Sequence, residues 1–444
     1  MQIHLGTFWI PSLELFDFIG KDNYLLQILY KKSDLWDNIC EGVIEEMEKK
    51  FEKVSANEQN SKWEQIIARQ KPIYHRENEL RTEFGRDYGR ILFSNSYRRL
   101  KNKTQVFFSP KDDHICTRAE HVNTVESISY TIASALGLNP ELTKAIAVAH
   151  DLGHSPFGHR GEKVLNQISQ YQIGQSFWHE KNGVYLVDKI ELLEDDKGQK
   201  QNLDLTYAVR DGIISHCGEI DENALKPRIE AIDLDDYTKP NEYAPYTWEA
   251  CVVKISDKIS YLGRDIEDAI SIGILEEEET EELKPFFKNA QVHKVNNTVI
   301  INNLIGDLCQ NSTPETGLAF SEDGFALIKK IKEFNYEKIY KNARMSLADR
   351  YIELVIKEIF YTLLEGFAEE KTEENLKKLK KTYPELVERF STWISQYSKQ
   401  EAGKQNEIIY NIQNKQDYIK AVITYISGMT DKYAMSTYHD IISF

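Results

Sequence analysis

The chain has 444 residues, 41% of them hydrophobic and 28% charged, and carries a formal net charge of −16 at pH 7. No apolar run is long enough to cross a bilayer, and the acidic charge argues against non-specific binding to nucleic acid, so neither a membrane nor single-stranded DNA is indicated as a partner. The five cysteines are scattered without a Cys-x-x-Cys pair and the first residues do not resemble a secretory signal, which predicts a cytoplasmic protein without disulfides or a thiolate zinc site.

The first 61 residues differ from the rest of the chain. Aromatic-rich patches precede a charged helical segment, EEMEKKFEKVSANEQNSK, which runs into a polar linker, and SKWEQIIARQ begins a new helical pattern. Most of the chain after this point repeats apolar residues at intervals of three and four, as amphipathic helices do. We therefore predict an all-α protein with an N-terminal helical extension over residues 1–61, a core over residues 62–285 and a helical C-terminal region over residues 286–444.

A basic segment between residues 81 and 103 reverses the sign of the overall charge. Two acidic residues, Glu83 and Asp87, face seven basic ones in this segment. The basic residues are Arg81, Arg86, Arg90, Arg98, Arg99, Lys101 and Lys103. One interpretation is the solvated face of a helix; the other is a cationic site, since an acidic protein needs local positive charge to bind an anion. The sign reversal alone favours neither.

Two helices are predicted ahead of a cluster of histidines. The letters TRAE at residues 117–120 form a capping-box pattern that begins a helix over residues 117–136. The letters NP at residues 139–140 begin the next helix, because asparagine caps and proline suits a first turn. His150 and Asp151 are therefore expected at the C-terminal end of that second helix, ahead of a tight loop.

A third helix is predicted over residues 247–272. Its apolar stripe is formed by Val252, Ile255, Ile259, Leu262, Ile266 and Ala269. Asp257, Tyr261 and Asp265 recur on another face at intervals of four, with Asp268 close to the same line. Such a polar row is either solvated or lines a polar cavity.

The chain beyond this helix is less regular. Residues 289–304, NAQVHKVNNTVIINNL, have β-character and predict a hairpin or an insertion. From about residue 325 onward, helical patterns with lysine and glutamate on their polar faces return.

Residues 147–162, AVAHDLGHSPFGHRGE, place three histidines and an aspartate within ten residues. Neutral imidazoles and carboxylates together suit a divalent ion such as Mn²⁺, Mg²⁺, Fe²⁺, Co²⁺, Ni²⁺ or Zn²⁺. His150 and Asp151 can both reach one ion at a helix end, with His121 from the helix before and Asp257 from the helix after as further ligands. The alternative is chance clustering, in which His121 is satisfied by a neighbour and Asp257 is solvated.

The full string HDLGHSPFGHRGE is far more specific than a His-Asp pair. It resembles the HD-domain superfamily and, within it, the deoxynucleoside triphosphate triphosphohydrolases, usually called dGTPases. The resemblance covers roughly residues 62–365 and includes, in the family's order, GRDYGRILFSNSYRRLKNKTQV, TRAEHVNTVESIS, SFWHEKNGVYLV, LDLTYAVRDGIISHCG and WEACVVKISDKISYLGRDIEDAI. It implies an HD-domain helical core and an enzyme in which water attacks the α-phosphorus of a dNTP, releasing the deoxynucleoside and intact tripolyphosphate; the family name implies dGTP.

The resemblance also implies a cofactor and catalytic roles. Mn²⁺ or Mg²⁺ would be held by His121, His150, Asp151 and Asp257. The catalytic residues would be His159, Glu162, His154 and His179. Glu162 would orient His159 from the next turn, and His154 would contact a phosphate or the bridging oxygen. A nucleoside alkoxide is a poor leaving group, so proton delivery is the demand these residues would meet.

The implied substrate contacts surround phosphates and a 2′-deoxyribose. Phosphates would be bound by Arg118 and Lys258, the 3′-hydroxyl by Gln105 and Asp265, and the 2′ position would be blocked by Val106 and Tyr261. Successive turns of the 247–272 helix would thus carry the ion and then the sugar.

Other functions stay open at this stage. A different HD phosphohydrolase, acting on a nucleotide phosphomonoester, a cyclic nucleotide or an alarmone, would keep the metal ligands without needing contacts to a deoxyribose. A non-enzymatic nucleotide sensor would use the basic segment, although a complete ligand set argues against it. The resemblance further implies a homo-oligomer, as a hexamer or a tetramer, and in some members a second dNTP that acts as an effector.

Overall fold

The structure is a computed structural model that describes residues 49–73, 78–108, 113–195, 197–217, 223–287, 292–399 and 407–443. Helices dominate these residues, and the sheet within them is a hairpin of two short antiparallel strands, β1 (Leu193–Glu194) and β2 (Lys200–Gln201). The predicted all-α class is confirmed. The chain divides into two units, Met1–Lys49 and Lys50–Phe444. Most of the predicted extension, residues 1–48, lies outside the described residues, and the boundaries at 61 and 285 stay predictions.

The described helices fall into two groups along the chain. The first group is α1 (Trp63–Ile66), α2 (Glu83–Phe93), α3 (Asn95–Leu100), α4 (Arg118–Leu136), α5 (Pro140–Ala149), α6 (Gly158–Ile173), α7 (His179–Tyr185), α8 (Tyr207–Ser215) and α9 (Trp248–Ser271). The second group is α10 (Asn297–Asn311), α11 (Glu322–Asn335), α12 (Ala343–Leu364), α13 (Thr372–Leu379), α14 (Pro384–Ser398), α15 (Lys415–Ser427) and α16 (Asp431–Ile442). No helix within the described ranges is both long enough and apolar enough to span a membrane.

Shorter helical segments connect these elements. Turns of 3₁₀-helix are Glu52–Val54, Leu234–Asp236, Glu277–Phe286 and Glu369–Lys371, and π-helical turns are Leu186–Ile190 and Tyr336–Tyr340. The two π-helical turns directly continue α7 and α11, respectively.

Local capping chemistry sets the ends of α4 and α5. Thr117 and Glu120 form the predicted capping box, and Gly137 ends α4 with a left-handed φ of 80°. Asn139 then caps α5, whose first residue is Pro140. These predictions are confirmed, and they leave the chain after α5 free to form the loop that carries His150 and Asp151.

Helix α9 runs through the interior and organises the packing. The six residues of its predicted apolar stripe are all buried, with 2% exposure or less. They join a hydrophobic cluster with α4, α10 and α11, while Val253 on another side of α9 joins a second cluster with α2, α5 and α8. A third cluster packs α6 against α12, α14 and α15. Helices of the C-terminal region therefore pack on both α9 and α6.

The β-character predicted for residues 289–304 is wrong over its described second half. Asn296 caps the backbone amide of Val299, and Asn297–Asn311 forms α10. Helix α10 reaches α9 closely at Gly263, where a Cβ atom would lie only 2.8 Å from the Cα atom of Asn297. Burial of one face against α9 outweighs the preference of its β-branched residues for strands, because that preference depends on packing context.

Candidate active site

A cavity of about 550 Å³ lies where helices α4, α6, α7 and α9 meet the segments that follow α5 and α8. Twelve of the fourteen predicted site residues line it. They are Gln105, Val106, Arg118, His121, Asp151, His154, His159, His179, Asp257, Lys258, Tyr261 and Asp265. The other two, His150 and Glu162, lie directly behind this lining and contact it. The polar row on α9 therefore lines a cavity, as one of its two interpretations held.

Four predicted metal ligands, called here the donor cluster, come together at one end of this cavity: His121, His150, Asp151 and Asp257. His121 Nε2 lies 3.0 Å from Asp257 Oδ1 and 3.7 Å from Asp151 Oδ2, and His150 Nε2 lies 3.4 Å from Asp151 Oδ1 and 3.9 Å from Asp257 Oδ1. An ion bound at about 2.1 Å sets neighbouring ligand atoms about 3.0 Å apart and opposite ones about 4.2 Å apart. The separations fit a shared divalent ion for His121, His150 and Asp257, whose donor atoms all lie within 4.8 Å of one another, while Asp151 shares such a group with His150 and His216.

The imidazoles of the donor cluster have fixed orientations. The Nδ1–H group of His150 donates to the carbonyl of Ala147 at 2.6 Å, and that of His121 donates to Oγ of Ser260 at 3.2 Å. Such contacts leave each Nε2 lone pair for an ion. His150 Nε2 is completely buried and has no hydrogen-bond partner in the described part of the chain. A buried nitrogen in this state is what a metal site needs and what a merely structural histidine avoids.

A buried arginine holds one carboxylate of the donor cluster. Arg118 Nη1 lies 2.6 Å from Asp151 Oδ2, and its other nitrogens donate to the carbonyls of Thr104 and Gln105 at 3.3 Å. Burial acts to raise the pKa of Asp151, but His150 and Arg118 hold it well below its ordinary value. Arg118 thus positions a donor as well as lining the cavity, and its contact with phosphate stays a prediction.

A second group, called here the imidazole cluster, consists of His154, His159, Glu162 and His179. All three histidines approach one carboxylate oxygen: Glu162 Oε2 lies 2.9 Å from Nδ1 of His179, 3.6 Å from Nδ1 of His159 and 3.8 Å from Nδ1 of His154. The rings of His154 and His179 stack with centroids 3.7 Å apart. The predicted partner of Glu162 was His159, but its shortest contact is with His179 on α7, and the His159 side chain is 68% exposed.

The pKa values of two histidines in the imidazole cluster, His179 and His154, shift in opposite directions. Burial acts to lower the pKa of His179, but Glu180 and Glu162 raise it well above its ordinary value. Burial, together with the charges of Arg118 and His179, lowers the pKa of His154 well below its ordinary value. The two shifts place a proton on His179 in preference to His154, and pKa values pushed apart in this way are typical of acid–base sites.

Backbone contact joins the two clusters. Gly153, in the loop after the donor cluster, packs against α7 so closely that a Cβ atom would lie 1.9 Å from the carbonyl oxygen of His179 and 2.3 Å from the amide nitrogen of Gly183. Asn182 Nδ2 donates to the Gly153 carbonyl at 2.7 Å. No side chain fits at Gly153, so the donor loop and the helix that begins with His179 are held at backbone distance.

The end of the cavity that the sequence predicts to hold the sugar, called here the sugar side, lies further along α9. Tyr261 and Asp265 follow Asp257 on successive turns, and Tyr340 donates a short hydrogen bond to Asp265 Oδ2. Burial raises the pKa of Asp265 to about 7. Across the cavity, Gln105 holds a buried Oε1 without a hydrogen-bond partner in the described part of the chain. Gln105, Tyr261 and Asp265 thus all line the cavity. Asp268 does not join them, because it accepts from the backbone of Cys116.

Sequence reasoning missed His216, which follows α8. Its Nδ1–H group donates to the carbonyl of Ile213 at 2.7 Å, the same three-residue contact that orients His150. Its Nε2 lies 3.9 Å from Asp151 Oδ1, and donor atoms of His150, Asp151 and His216 all lie within 4.8 Å of one another. Burial lowers the pKa of His216 to about 3, so the ring is neutral. Its position at a helix end, like that of His150, was the available signal.

The basic segment serves the fold rather than the cavity. Lys103 donates to the carbonyls of His154 and Ser427, Arg90 to those of Leu203 and Asn202, and Arg99 pairs with Glu191 at 3.1 Å. None of the seven basic residues is among the described residues that line the cavity. Lys103 nevertheless supports the site, because it holds the backbone of the loop that carries His154.

Comparisons with known proteins agree with this arrangement. A family model described as "HD domain" matches residues 118–262, the segment from α4 into α9 that holds the donor cluster. Proteins named "Deoxyguanosinetriphosphate triphosphohydrolase-like protein" are similar over most of the chain. The one from Caldanaerobacter subterraneus subsp. tengcongensis is 32% identical over 82% of this chain and 86% of its own length. Those from Clostridium tetani and Rickettsia bellii are 30% and 28% identical over 83% and 82% of this chain, and over 88% and 92% of their own lengths.

Proposed function

Because this chain belongs to the HD-domain family of deoxyguanosinetriphosphate triphosphohydrolase-like proteins, we propose that it hydrolyses deoxynucleoside triphosphates, dGTP foremost, to the deoxynucleoside and tripolyphosphate. One observation carries the proposal: the metal-type donor cluster borders the same cavity of about 550 Å³ as the residues predicted to contact a deoxyribose, Gln105, Val106, Tyr261 and Asp265. Asp257, Tyr261 and Asp265 stand on successive turns of α9, each about 6 Å further along the axis. That is the reach of a nucleotide from α-phosphate to sugar.

The donor cluster is proposed to hold Mn²⁺ or Mg²⁺ through His121, His150, Asp151 and Asp257. Mixed imidazole and carboxylate donors fit such ions, and the buried, partnerless Nε2 of His150 supports this assignment. When bound, the ion supplies Lewis acidity for the α-phosphate and lowers the pKa of a coordinated water. Arg118 contributes by fixing the Asp151 carboxylate from behind.

The imidazole cluster is proposed to protonate the leaving 5′-oxygen. His179 stores the proton against Glu162, and His159, whose Nδ1 lies 3.6 Å from the same carboxylate oxygen, carries it to the substrate at the mouth of the cavity. In the net reaction the α-phosphorus–O5′ bond breaks, a bond from phosphorus to the water oxygen forms, and one proton of that water ends on the 5′-oxygen. A positioned acid of this kind is worth about 10²–10⁴ in rate.

The sugar side is proposed to select the 2′-deoxy form. Tyr261 and Val106 line the cavity, and the proposed role for both is to crowd a 2′-hydroxyl. Asp265 and Gln105 would bond the 3′-hydroxyl; Asp265 already accepts from Tyr340, and the Oε1 atom of Gln105 is buried without a partner. A pocket that lacks a partner for an added hydroxyl discriminates by sterics and desolvation, so ribonucleotides should react slowly.

In the decisive experiment, the full chain is incubated in ¹⁸O-water with Mn²⁺ or Mg²⁺ and each of the eight nucleoside triphosphates. The products are separated and identified by mass spectrometry. We expect deoxynucleoside without ¹⁸O, and tripolyphosphate with one ¹⁸O atom. Formation of dGMP and pyrophosphate, or of dGDP and phosphate, would reject the proposal. Asp257→Asn should abolish turnover, while His439→Ala, an exposed histidine on α16, serves as the matched control.

The same panel tests the alternative and the finer assignments. Hydrolysis of a phosphomonoester, a cyclic nucleotide or an alarmone with no attack on dNTPs would favour another HD phosphohydrolase. The preference for dGTP over the other dNTPs rests on the relatives' names and is read directly from the rates. Repeating the panel with a second dNTP tests the proposed effector, and the mass in solution tests the proposed homo-oligomer.

A further inference from the structure

The outer face of α12 carries an apolar stripe exposed to solvent. Leu347, Leu354 and Tyr361 are 68%, 50% and 45% exposed. They are seven residues apart, which is close to two helical turns, so they share one side of the helix at steps of about 10 Å. Large apolar side chains repeated at this interval are typical of a helix that packs against another helix.

The fold itself does not need this stripe. The opposite side of α12 carries Ile352, Val355, Ile356 and Ile359, which are fully buried against α6 and its neighbours. That inner side satisfies the requirement of an amphipathic helix for a buried face. Packing within the fold therefore does not account for the outer stripe. Exposed apolar patches commonly mark sites of contact with another molecule.

The charges beside the stripe indicate its occupant. Arg350 stands four residues before Leu354, and Glu358 stands four residues after it. Neither has an ion-pair partner within the described part of the chain. A second copy of α12 running antiparallel, with a two-fold axis at Leu354, sets Leu354 against itself and Leu347 against Tyr361. It also sets each Arg350 opposite a Glu358. A parallel copy would instead oppose like charges.

We propose that α12 is a contact between two copies of this chain, antiparallel and symmetric about Leu354. Two-fold contacts of this kind require a self-complementary surface, and the sequence of this face supplies one. The contact is independent of the proposed catalytic function. It lies one helix layer from the imidazole cluster, because the inner side of α12 packs on α6, which carries His159 and Glu162.

Cysteine cross-linking tests the symmetry axis. Under mild oxidation, Leu354→Cys in the full chain should form a disulfide-linked dimer, because only a residue on the axis meets itself. Leu347→Cys alone and Tyr361→Cys alone should stay monomeric on a non-reducing gel, while a mixture of the two should cross-link. The unmodified chain controls for its native cysteines. Failure of Leu354→Cys to cross-link, or equal cross-linking by Leu347→Cys alone, would overturn the proposal.

Charge reversal tests the pairing across the axis. Arg350→Glu and Glu358→Arg should each weaken self-association by about tenfold in sedimentation equilibrium, since each creates two like-charge contacts per dimer. The double variant restores both pairs and should return to within about threefold of the original affinity. Because Arg350 is exposed and Glu358 is only partly buried, circular dichroism should be unchanged. Single variants that associate as well as the original chain, or a double variant no better than the singles, would contradict the contact.

Discussion

The donor cluster and the imidazole cluster use the same side chain for two different kinds of chemistry. In the donor cluster, His121 and His150 bond through Nδ1 to acceptors that do not titrate, a serine oxygen and a backbone carbonyl. In the imidazole cluster, His179 and its neighbours approach one carboxylate, Glu162. The first arrangement orients the Nε2 lone pairs of the two histidines, and the second raises the pKa of His179. The partner of the second ring nitrogen therefore decides what a histidine does here.

Removing a fixed lone pair should have the largest effect. His150→Ala eliminates a buried nitrogen of the donor cluster, and we expect metal affinity and dGTP turnover each to fall by more than the roughly 100-fold that loss of a residue supporting a ligand can cost. Metal content by mass spectrometry and turnover rate measure the two effects separately. His439→Ala is the control. A His150→Ala protein that retains both metal and turnover would show that this cluster does not bind the ion.

Removing the carboxylate should disable the imidazole cluster but spare the donor cluster. Glu162→Gln is expected to lower turnover by about 10²-fold with little change in metal content. Since Glu162 raises the pKa of His179, the protonated and active form of that histidine is lost as pH rises through this pKa. The variant lowers the pKa, so the alkaline limb of the rate profile should move to lower pH. An unmoved limb would assign the proton to another group.

His216 lies between the two clusters and sharpens the comparison. It resembles the donor cluster in its bond to the Ile213 carbonyl, yet its ring centroid lies only 5.3 Å from that of His179. If it supports the ion, His216→Ala should weaken metal affinity by about 10- to 100-fold, less than His150→Ala, and leave the pH profile in place. A shifted alkaline limb with unchanged metal affinity would place it in the imidazole cluster instead.

The sugar side should be separable from both clusters. Tyr261→Ala is expected to reduce the ratio of dGTP to GTP turnover by about tenfold, because it opens space for a 2′-hydroxyl. Metal content and the pH profile should not change. Tyr261→Phe keeps the ring and should keep the selectivity, which makes it the matched control. A loss of metal with Tyr261→Ala would mean that the sugar side and the donor cluster are coupled.

Features set by local chemistry were predictable from the sequence. Capping residues located α4 and α5, and so placed His150 and Asp151 at a helix end. The period of the apolar stripe located α9 and set its polar row on one face. These predictions depend on neighbours within one or two turns, where sequence spacing and spatial spacing agree.

Features set by contacts between distant segments were not predictable in this way. Spacing suggested that Glu162 would bond His159 one turn away, but α7 brings His179 closer. His216 drew no attention because nothing in its own segment shows that Asp151 lies opposite. Residues 297–304 have strand-like composition but form a helix because they pack against α9. The basic segment similarly serves carbonyls and carboxylates that lie about 90 to 330 residues further along the chain.

The absence of a side chain at Gly153 has a consequence for how this enzyme type can change. Main-chain atoms of the donor loop and of the helix starting at His179 approach closely there, so the distance between the donor cluster and the imidazole cluster is set by the backbone. A change of side-chain rotamer cannot alter this distance. If the proposed function is right, new specificities would arise where side chains such as Val106 and Tyr261 line the cavity, while the spacing of the two clusters stays unchanged.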